Sequence, residues 1–305
     1  MRFFVCLSSC FAFLIIGTSA SAQLVKPGVP GMAGSRWISV KTSQAPGRTY
    51  RFDNQSTKSY TQEDIFFKMY LPVIHKQRFG IITGLQYRTE QLEFDDHGEN
   101  PIHQLSNWNL RSWGLELKSY KVLDSATVLV AGIQANQSAS IDHHPYKNVP
   151  VNYTLTTAVI RKLSPTKEIG GGVIVGKGFD RLTILPVFIY NNTYSTKRGI
   201  EISLPYKIAW RHNLTPSDIV YLKAEGSTRS YYCNDVDVQS GTFRRTDLDM
   251  GIWYNRKITS LVGMEAYGGY KINVSNNLPD RITPVKTSGL AFSLEIYVRV
   301  PSARR

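Results

Sequence analysis

The alternation of apolar and polar residues at 199–212 (GIEISLPYKIAWRH) constrains the fold most strongly. Every second residue from Ile200 to Trp210 is apolar or aromatic, whereas the alternate positions include Glu201, Lys207 and Arg211. Because successive side chains of a β-strand point to opposite faces, this segment has one apolar and one charged face. A strand of this length, rising ~3.3 Å per residue, crosses a bilayer's hydrocarbon core at a tilt. The segment therefore predicts one transmembrane β-strand.

The same two-residue periodicity recurs along the chain, in segments separated by turn-forming residues. Short connections alternate with long ones, as in outer-membrane barrels that have short periplasmic turns and long outer loops. The repetition predicts an all-β protein, an antiparallel transmembrane β-barrel. Its further segments are 36–41, 64–74, 78–90, 109–121, 125–137, 151–163, 219–232, 242–255, 259–274 and 287–300.

The strand count depends on residues 167–194, the one stretch where short and long connections do not alternate. Counting this stretch as a single crossing restores the alternation and gives about twelve strands; a count of fourteen remains the alternative. A single crossing would be kinked or irregular, since glycine and proline weaken strand pairing. The residues concerned are Gly170, Gly171, Gly172, Gly176, Gly178 and Pro186.

The N-terminus predicts export. Residues 1–22 combine a positive Arg2, an apolar run and the small-residue sequence ASA before Gln23, which is the pattern of a cleaved signal peptide. Residues 23–35 are rich in glycine and proline and are interpreted as a flexible periplasmic lead-in. Residues 36–305 then form the predicted barrel.

The charge and the exported location suggest the partners. The net charge of +13 favours anionic partners, and export makes nucleic acid an improbable one. We expect outer-membrane lipid and lipopolysaccharide to be partners, and small anionic solutes are candidates. The sequence gives no prediction of oligomeric state.

A soluble secreted sandwich or lipocalin-like barrel would also show alternating strands. At least ten segments, many of them ten residues or longer, favour the membrane barrel instead. One departure is that the chain continues past Val300 into PSARR, whereas outer-membrane barrels often finish on an aromatic strand.

The run LPVFIY…ISLPYKIAW…VYLKAEGSTRSYY, with a leader ending in ASAQ, resembles an uncharacterised family of outer-membrane β-barrels, a domain-of-unknown-function family typical of Bacteroidota. The resemblance extends over the mature chain and implies the barrel fold. It brings no established activity and no catalytic residues.

The sequence predicts no enzyme, no cofactor and no metal site. A membrane-embedded hydrolase needs a histidine near a serine within a span, but the six histidines fall in turns, loops or at a strand's end. Two acidic loops contain histidines, at 95–103 and 142–144, without the fixed spacing of a metal motif.

The polar strand faces are the main functional indication. Two hypotheses follow, a narrow channel or small-solute uptake or binding barrel, and a closed structural or surface-interaction barrel that presents outer loops. Planar-bilayer conductance separates them, because discrete ohmic steps favour the channel. The candidates for lining the lumen are Lys68, Arg88, Glu90, Glu116, Lys118, Lys207, Arg211, Lys223, Glu225, Glu265, Glu295 and Arg299.

Overall fold

A computed structural model describes residues 27–52, 57–94, 105–141, 149–178, 182–233, 242–277 and 282–299. The predicted signal peptide, the histidine-bearing parts of both acidic loops and the C-terminal PSARR lie outside these residues. The described residues form fifteen strands: β1 (Arg36–Phe52), β2 (Lys58–His75), β3 (Phe79–Phe94), β4 (Leu110–Val122), β5 (Thr127–Ser140), β6 (Asn152–Ser164), β7 (Lys167–Lys177), β8 (Leu182–Asn192), β9 (Arg198–Leu204), β10 (Lys207–Asn213), β11 (Asp218–Tyr232), β12 (Thr242–Lys257), β13 (Val262–Asn277), β14 (Ile282–Lys286) and β15 (Gly289–Arg299).

The strands close into one antiparallel barrel. Each strand from β2 to β12 pairs with its neighbours in sequence, and β13 pairs with β12 and β15. Strand β1 closes the ring by pairing with β2 on one edge and with β14 and β15 on the other. Strands β14 and β15 lie along the same edge of β1 and form a single crossing. The barrel therefore has fourteen crossings, which confirms the predicted all-β fold and selects the alternative strand count.

The preferred count of twelve was wrong because two stretches were each read as one strand. Residues 167–194 form the hairpin β7–β8, and residues 199–212 form the hairpin β9–β10, which turns at Pro205 and Tyr206. Each error removed one strand, so the alternation of short and long connections still appeared intact. A two-residue turn does not interrupt the period of two, which is why the apolar face of 199–212 continues through it.

The glycines of β7 allow close strand contact and do not produce a kink. A Cβ atom added at Gly172 would lie 2.0 Å from the carbonyl oxygen of Thr157 on β6, and one at Gly170 would lie 2.7 Å from that of Val159. Both glycines point into the lumen, where β6 and β7 approach each other too closely for a side chain. Strand β7 is consequently regular, and the chain reverses only after Lys177.

Strand β1 is much longer than the predicted segment 36–41. It continues through the sequence QAPGR to Phe52, with a register shift between Ala45 and Arg48 where it pairs with β2. Gly47 lies in this bulge with a φ of +71°, a conformation that favours glycine. Proline and glycine in a bulge therefore interrupted the sequence pattern without ending the strand.

The two barrel faces differ in chemistry. Exposed apolar side chains cover the outside, for example Leu115, Leu155, Leu222 and Ile296, while charged and polar side chains alternate with them and point inward. No helix among the described residues is long and apolar enough to cross a membrane. An apolar outer surface around a polar interior is the arrangement of a transmembrane β-barrel.

The two rims of the barrel differ as well. At one rim, which also carries residues 27–35 and the end of β15, six connections of two to five residues join the strands; we call it the turn end. The opposite rim, which we call the loop end, has most of the longer connections. At the loop end, the end of β11 contacts the end of β5, six strands away in the barrel, because Tyr232 of β11 pairs in parallel with Ala139 of β5.

Candidate functional site

The interior of the barrel contains nearly all of its charged groups that are buried. All twelve predicted lumen residues lie on the inward face of their strands, opposite the exposed apolar residues. Most of them form ion pairs with inward residues of the same or neighbouring strands. Examples are Lys118 with Glu116 at 3.0 Å and Lys223 with Glu225 at 2.9 Å. The inner surface is thus a set of paired charges.

Glu265 and Glu295 share one partner, Arg36. The Arg36 guanidinium lies 2.7 Å from the Glu265 carboxylate and donates a further hydrogen bond to Glu295. Arg36 is the first residue of β1, and the two glutamates face each other across β13 and β15. This arginine therefore ties the last two crossings to the first.

An arginine–carboxylate network fills the interior near the loop end. The buried Glu90 carboxylate accepts hydrogen bonds from Arg229 at 2.8 Å, from Arg245 at 2.5 Å and from the Tyr231 hydroxyl at 3.0 Å. Arg245 also binds Asp247 at 2.6 Å. Because these groups lie on β3 and on β11 and β12, the network connects opposite walls of the barrel.

The same network continues to Arg88 through a shared carboxylate. Asp64 lies 3.2 Å from Arg229 and 3.5 Å from Arg88. Arg88 also lies over the Phe66 ring, 3.9 Å from its centroid. The ammonium group of Lys68 lies 4.5 Å from the same centroid. Arg88 is therefore held by an aromatic face and by one long, shared ion pair.

An apolar cluster closes the interior beyond this network. It consists of buried side chains from β1 to β4, β11 and β12 together with residues of the adjoining connections. Tyr50 packs edge to face against Tyr60 and Phe94, with the Tyr50 and Phe94 centroids 4.8 Å apart, whereas Tyr231 and Phe243 stack nearly parallel. The members are Tyr50, Tyr60, Leu92, Leu105, Leu110, Tyr231, Cys233 and Phe243.

A cavity of about 390 Å³ lies beside the network, in the loop-end half of the barrel. Its lining includes amide and hydroxyl side chains of β3 to β6 and four cationic side chains, but no carboxylate among the described residues. The cations are Arg88, Lys177, Arg229 and Arg244. Of the twelve predicted lumen residues, only Arg88 lines this loop-end cavity.

A second cavity, of about 380 Å³, lies at the turn end and has no lining residue in common with the first. Arg299 is the only predicted lumen residue that lines it. Buried aromatic residues occupy the interior between the two cavities: Trp253 and Tyr267 stack with centroids 4.1 Å apart, and Tyr221 packs in the same cluster. The ammonium group of Lys223 lies 4.2 Å from the centre of the Trp253 ring.

Residues 27–35, which we call the strap, cross the turn end of the barrel. The strap precedes β1, yet its contacts are on β7 to β11, about halfway round the ring. The Gly28 amide donates to Glu168 at 2.8 Å, and the Ala33 amide donates to the Tyr221 hydroxyl at 3.2 Å. Residues 27–32 form bends and a turn, in which the Met32 amide donates to the Val29 carbonyl oxygen at 3.4 Å, and residues 33–35 lead to β1.

The centre of the strap is held through the carbonyl oxygen of Pro30. It accepts hydrogen bonds from the Thr193 hydroxyl at 2.7 Å and from the Arg211 guanidinium at 3.1 Å. Arg211 is fully buried and also lies 3.6 Å from Glu201, which pairs with Lys207. The part of the predicted flexible lead-in that the structure describes thus makes specific contacts with the inner wall.

Sequence reasoning missed several charged residues that the structure places beside the predicted ones. Arg229 lies on the same face of its predicted strand as Lys223 and Glu225, and Asp64 is the first residue of a predicted segment. The alternation of faces could therefore have identified both. Arg48 had no such signal, because it lay in a predicted loop. The other missed members are Arg36, Glu168, Glu201, Arg245, Asp247, Asp249 and Lys271.

Comparison with known proteins identifies a family and several barrels of similar shape. A family model described as "Domain of unknown function (DUF6268)" matches residues 19–284. No curated protein matches the sequence.

Among solved structures, the COG4313 outer membrane channel from Pseudomonas putida F1 is 11% identical to this chain, with a TM-score of 0.48. The aligned region covers 93% of this chain and 99% of the channel's chain. A Pseudomonas aeruginosa FadL homologue is 9% identical over 86% of this chain and 90% of its own, with a TM-score of 0.44. The translocator domain of the autotransporter NalP from Neisseria meningitidis is 8% identical over 88% and 90%, with a TM-score of 0.35. At these identities and TM-scores the likenesses support no functional argument.

Proposed function

We propose a role from the geometry of this chain, because it belongs to the family described as a domain of unknown function (DUF6268). In our proposal, the protein is an outer-membrane barrel that takes up a small anionic solute. In this proposal the loop end faces the outside of the cell and the turn end faces the periplasm, as in barrels with short periplasmic turns. The solute occupies the loop-end cavity, and the strap keeps the lumen closed at rest.

The observation that carries the proposal is the charge of the loop-end cavity. Among the described residues, Arg88 and Arg229 line it from the inward face, Lys177 and Arg244 line it from the outer face at the rim, and no carboxylate lines it. Carboxylates are frequent elsewhere in the lumen. Its volume of about 390 Å³ is within the range of small-molecule sites. Lining amides and hydroxyls, such as Gln86, Asn136 and Ser138, supply hydrogen bonds for the rest of a polar solute.

Arg88 is the residue best placed to bind the anionic group. Arg229 already donates to Glu90 and lies close to Asp64. Arg88 lies over the Phe66 ring, and its one ion pair among the described residues is the 3.5 Å contact with Asp64, which it shares with Arg229. A planar guanidinium binds a carboxylate through two parallel hydrogen bonds. We therefore assign Arg88 as the anchor of a solute carboxylate or similar group.

The test is binding of benzoate and of uncharged benzamide to the full chain reconstituted in a neutral lipid bilayer. We expect saturable binding of benzoate, at least tenfold weaker binding of benzamide, and a loss of tenfold or more in benzoate affinity in Arg88→Gln. Arg161→Gln is the matched control, because Arg161 is exposed on the outer face of β6. Equal binding of benzoate by the wild type and Arg88→Gln would contradict the proposal.

The second candidate is a closed barrel that presents its outer connections to a surface partner. It is favoured by the filled interior, since the two cavities share no lining residue and buried aromatic residues lie between them. The binding experiment separates the candidates, because a closed interaction barrel has no need of an anion anchor. Absence of Arg88-dependent binding would favour this second function.

A further inference from the structure

We propose that the loop-end cavity opens sideways through the barrel wall between β8 and β11, and that its ligand is an amphipathic anion that arrives from the outer leaflet of the membrane. This inference rests on the proposed anion-binding role of the cavity and specifies the class of ligand and its route. An amphipathic anion has a charged head for the cationic interior and an apolar chain for the lipid side.

The strand registers create the gap in the wall. Strand β9 pairs with β8 no further than Leu204 opposite Phe188, and β10 pairs with β11 no further than Lys207 opposite Glu225. Residues 182–187 of β8 and 227–231 of β11 extend beyond the β9–β10 hairpin. Among the described residues they have no ladder partner on the edges next to the hairpin, up to Tyr232 of β11, which pairs with Ala139 of β5. We call the space above the hairpin, between these two segments, the notch.

The notch lies at the depth of the membrane. Strands β9 and β10 have seven residues each, which span about 18 Å of height at ~3.3 Å per residue and a tilt of ~40°. The apolar band of an outer-membrane barrel is about 25 Å tall. The Trp210 indole, on the outer face of the middle of β10, donates to the hydroxyl of Tyr194 in the connection between β8 and β9 at 2.8 Å, as expected for aromatic residues near the inner interface. The hairpin therefore stops within the hydrocarbon layer.

Unpaired strand edges do not face lipid directly, because each unsatisfied backbone group costs several kcal/mol in hydrocarbon. Such edges occur where they line a cavity that contains water or a ligand. The edges of the notch therefore need an occupant or a solvated opening, and the loop-end cavity lies directly behind them.

The cavity lining shows that this opening passes through the wall. Inside a barrel, only alternate residues of a strand reach the lumen. The cavity is lined instead by the consecutive residues 227–231 of β11 and 152–154 of β6. Thr228 and Ser230 of β11, and Tyr206 at the tip of the hairpin, are on the outward side of their strands, so the cavity reaches both faces of the sheet at the notch. Tyr153 is also on the outward side, but it is on β6, two strands away from β8.

The chemistry along the opening changes from apolar at the lipid side to cationic inside. Leu182 and Ile184, on the outer face of β8, are 62% and 63% exposed, and Leu185 and Tyr206 line the cavity at the notch. Two cations, Lys177 and Arg244, are on the outer face of their strands at the rim, whereas Arg88 and Arg229 lie inside. The carboxylate of an amphipathic anion can therefore reach inward to Arg88, while its apolar tail remains between Leu185 and Tyr206.

The test compares three probes on the full chain in nanodiscs of neutral phosphatidylcholine, with empty nanodiscs subtracted. Decanoate has the charged head and the tail, butanoate has only the head, and decanol has only the tail. We expect decanoate to bind at least tenfold more tightly than either of the other two. Decanol binding as tightly as decanoate would mean that the notch takes an uncharged acyl chain and would contradict the inference.

A pair of matched variants tests the route. Thr228 on β11 lines the cavity at the notch, and its hydroxyl lies 3.1 Å from that of Thr246, its cross-strand partner on β12, which does not line the cavity. We expect Thr228→Trp to lose tenfold or more in decanoate affinity and Thr246→Trp to lose less than twofold. Equal effects of the two variants would overturn the assignment of the notch.

A decanoate that carries a photoreactive diazirine near its tail provides a measurement that needs no variant. Crosslinks to residues 182–187 or 227–231 are expected, and crosslinks confined to other parts of the chain would contradict the lateral route. The proposed function can be distinguished from this inference, because Arg88-dependent binding of benzoate together with equal affinities for butanoate and decanoate would remove only the lateral route.

Discussion

The two ends of the lumen are closed by different kinds of structure. At the loop end, the closing groups are side chains on fully paired strands, such as Tyr50 and Phe243 of the apolar cluster and the Glu90–Arg245 pair. At the turn end, the closing group is the strap, held to the inner wall by hydrogen bonds.

The difference bears on which end can open. Displacing the side chains of the loop end separates buried ion pairs such as Glu90–Arg245 and the packed rings beside them, and breaking a buried ion pair is strongly destabilising. Displacing the strap breaks a few hydrogen bonds that each contribute about 1 kcal/mol, and every strand pair of the barrel remains. The comparison therefore indicates that fewer interactions hold the closure at the turn end than the closure at the loop end.

The largest expected effect is on the free energy of unfolding, for which a variant at the loop end is compared with a variant at the turn end. Glu90→Ala leaves Arg229 and Arg245 without their shared buried carboxylate, so we expect a loss of about 3 kcal/mol or more in the free energy of unfolding. Glu168→Ala removes a carboxylate that receives hydrogen bonds from the strap and from Asn191, and we expect a loss of about 1 kcal/mol. Reversible urea unfolding in lipid bilayers measures both values.

Equal losses in these two variants would contradict the view that the loop-end network belongs to the barrel and the strap does not. A greater loss in Glu168→Ala would reverse the comparison altogether. In each case, a heat-modifiable gel shift verifies that the variant has folded before its stability is compared.

A smaller effect is expected at the strap alone. The Thr193 hydroxyl donates to Pro30 and accepts from Arg211 at 2.6 Å. Thr193→Val removes both bonds, so the amides of Gly28 and Ala33 should exchange hydrogen about fivefold to tenfold faster, which corresponds to ~1 kcal/mol. The measurement is hydrogen exchange followed by mass spectrometry or NMR.

The control for this experiment is Thr196→Val, in the same connection between β8 and β9, where the side chain is exposed. It should leave the exchange of both strap amides unchanged. Unaltered exchange in Thr193→Val would show that the Pro30 contacts do not hold the strap.

The smallest effect concerns a carboxylate on the turn-end surface, outside the lumen. The Asp124 carboxylate accepts hydrogen bonds from the amides of Ala126 and Thr127, both at 2.8 Å, and the bond from Ala126 contributes most to lowering the pKa of Asp124. Because its folded pKa is below the unfolded one, Asp124 contributes stability above about pH 4. That contribution disappears as the pH falls through the lower folded value.

Asp124→Ala should therefore lower the urea midpoint slightly at pH 7, by much less than Glu90→Ala, and the difference from the wild type should shrink below about pH 4. A difference that persisted unchanged at lower pH would mean that ionisation of Asp124 is not the cause. The comparison of Asp124 with Glu90 shows how much more a carboxylate matters inside the lumen than on its rim.

The sequence predicted the barrel and the inward face because alternation is a local property of each strand. It survived even where the strand boundaries were wrong: Ile200 and Trp210 share the outer face although a turn separates them. The strand count was less accessible, because a two-residue turn at Pro205 leaves the period intact and the glycines of β7 suggested a bend. Only the pairing of β6 with β7 shows that residue 172 is glycine because the two strands approach too closely there for a side chain.

The candidate site was less predictable than the fold, because it depends on contacts between distant strands. Inward parity identified Arg88 as a lumen residue, but its position in the cavity follows from Asp64 and Phe66 on the neighbouring strand. The strap gave no signal beyond its glycine and proline content, since its partners Glu168 and Tyr221 are on the far side of the ring. The notch follows from strand registers, which a single sequence does not specify.

The most direct test of a lumen closed at rest is the conductance of the full chain in a planar lipid bilayer, with insertion verified by a surface-exposed tag. The account predicts that the inserted protein gives no discrete current steps at 100 mV in 1 M potassium chloride. Frequent ohmic steps of uniform size from the unmodified chain would contradict it, because they would require a continuous aqueous path past the aromatic cluster and the strap.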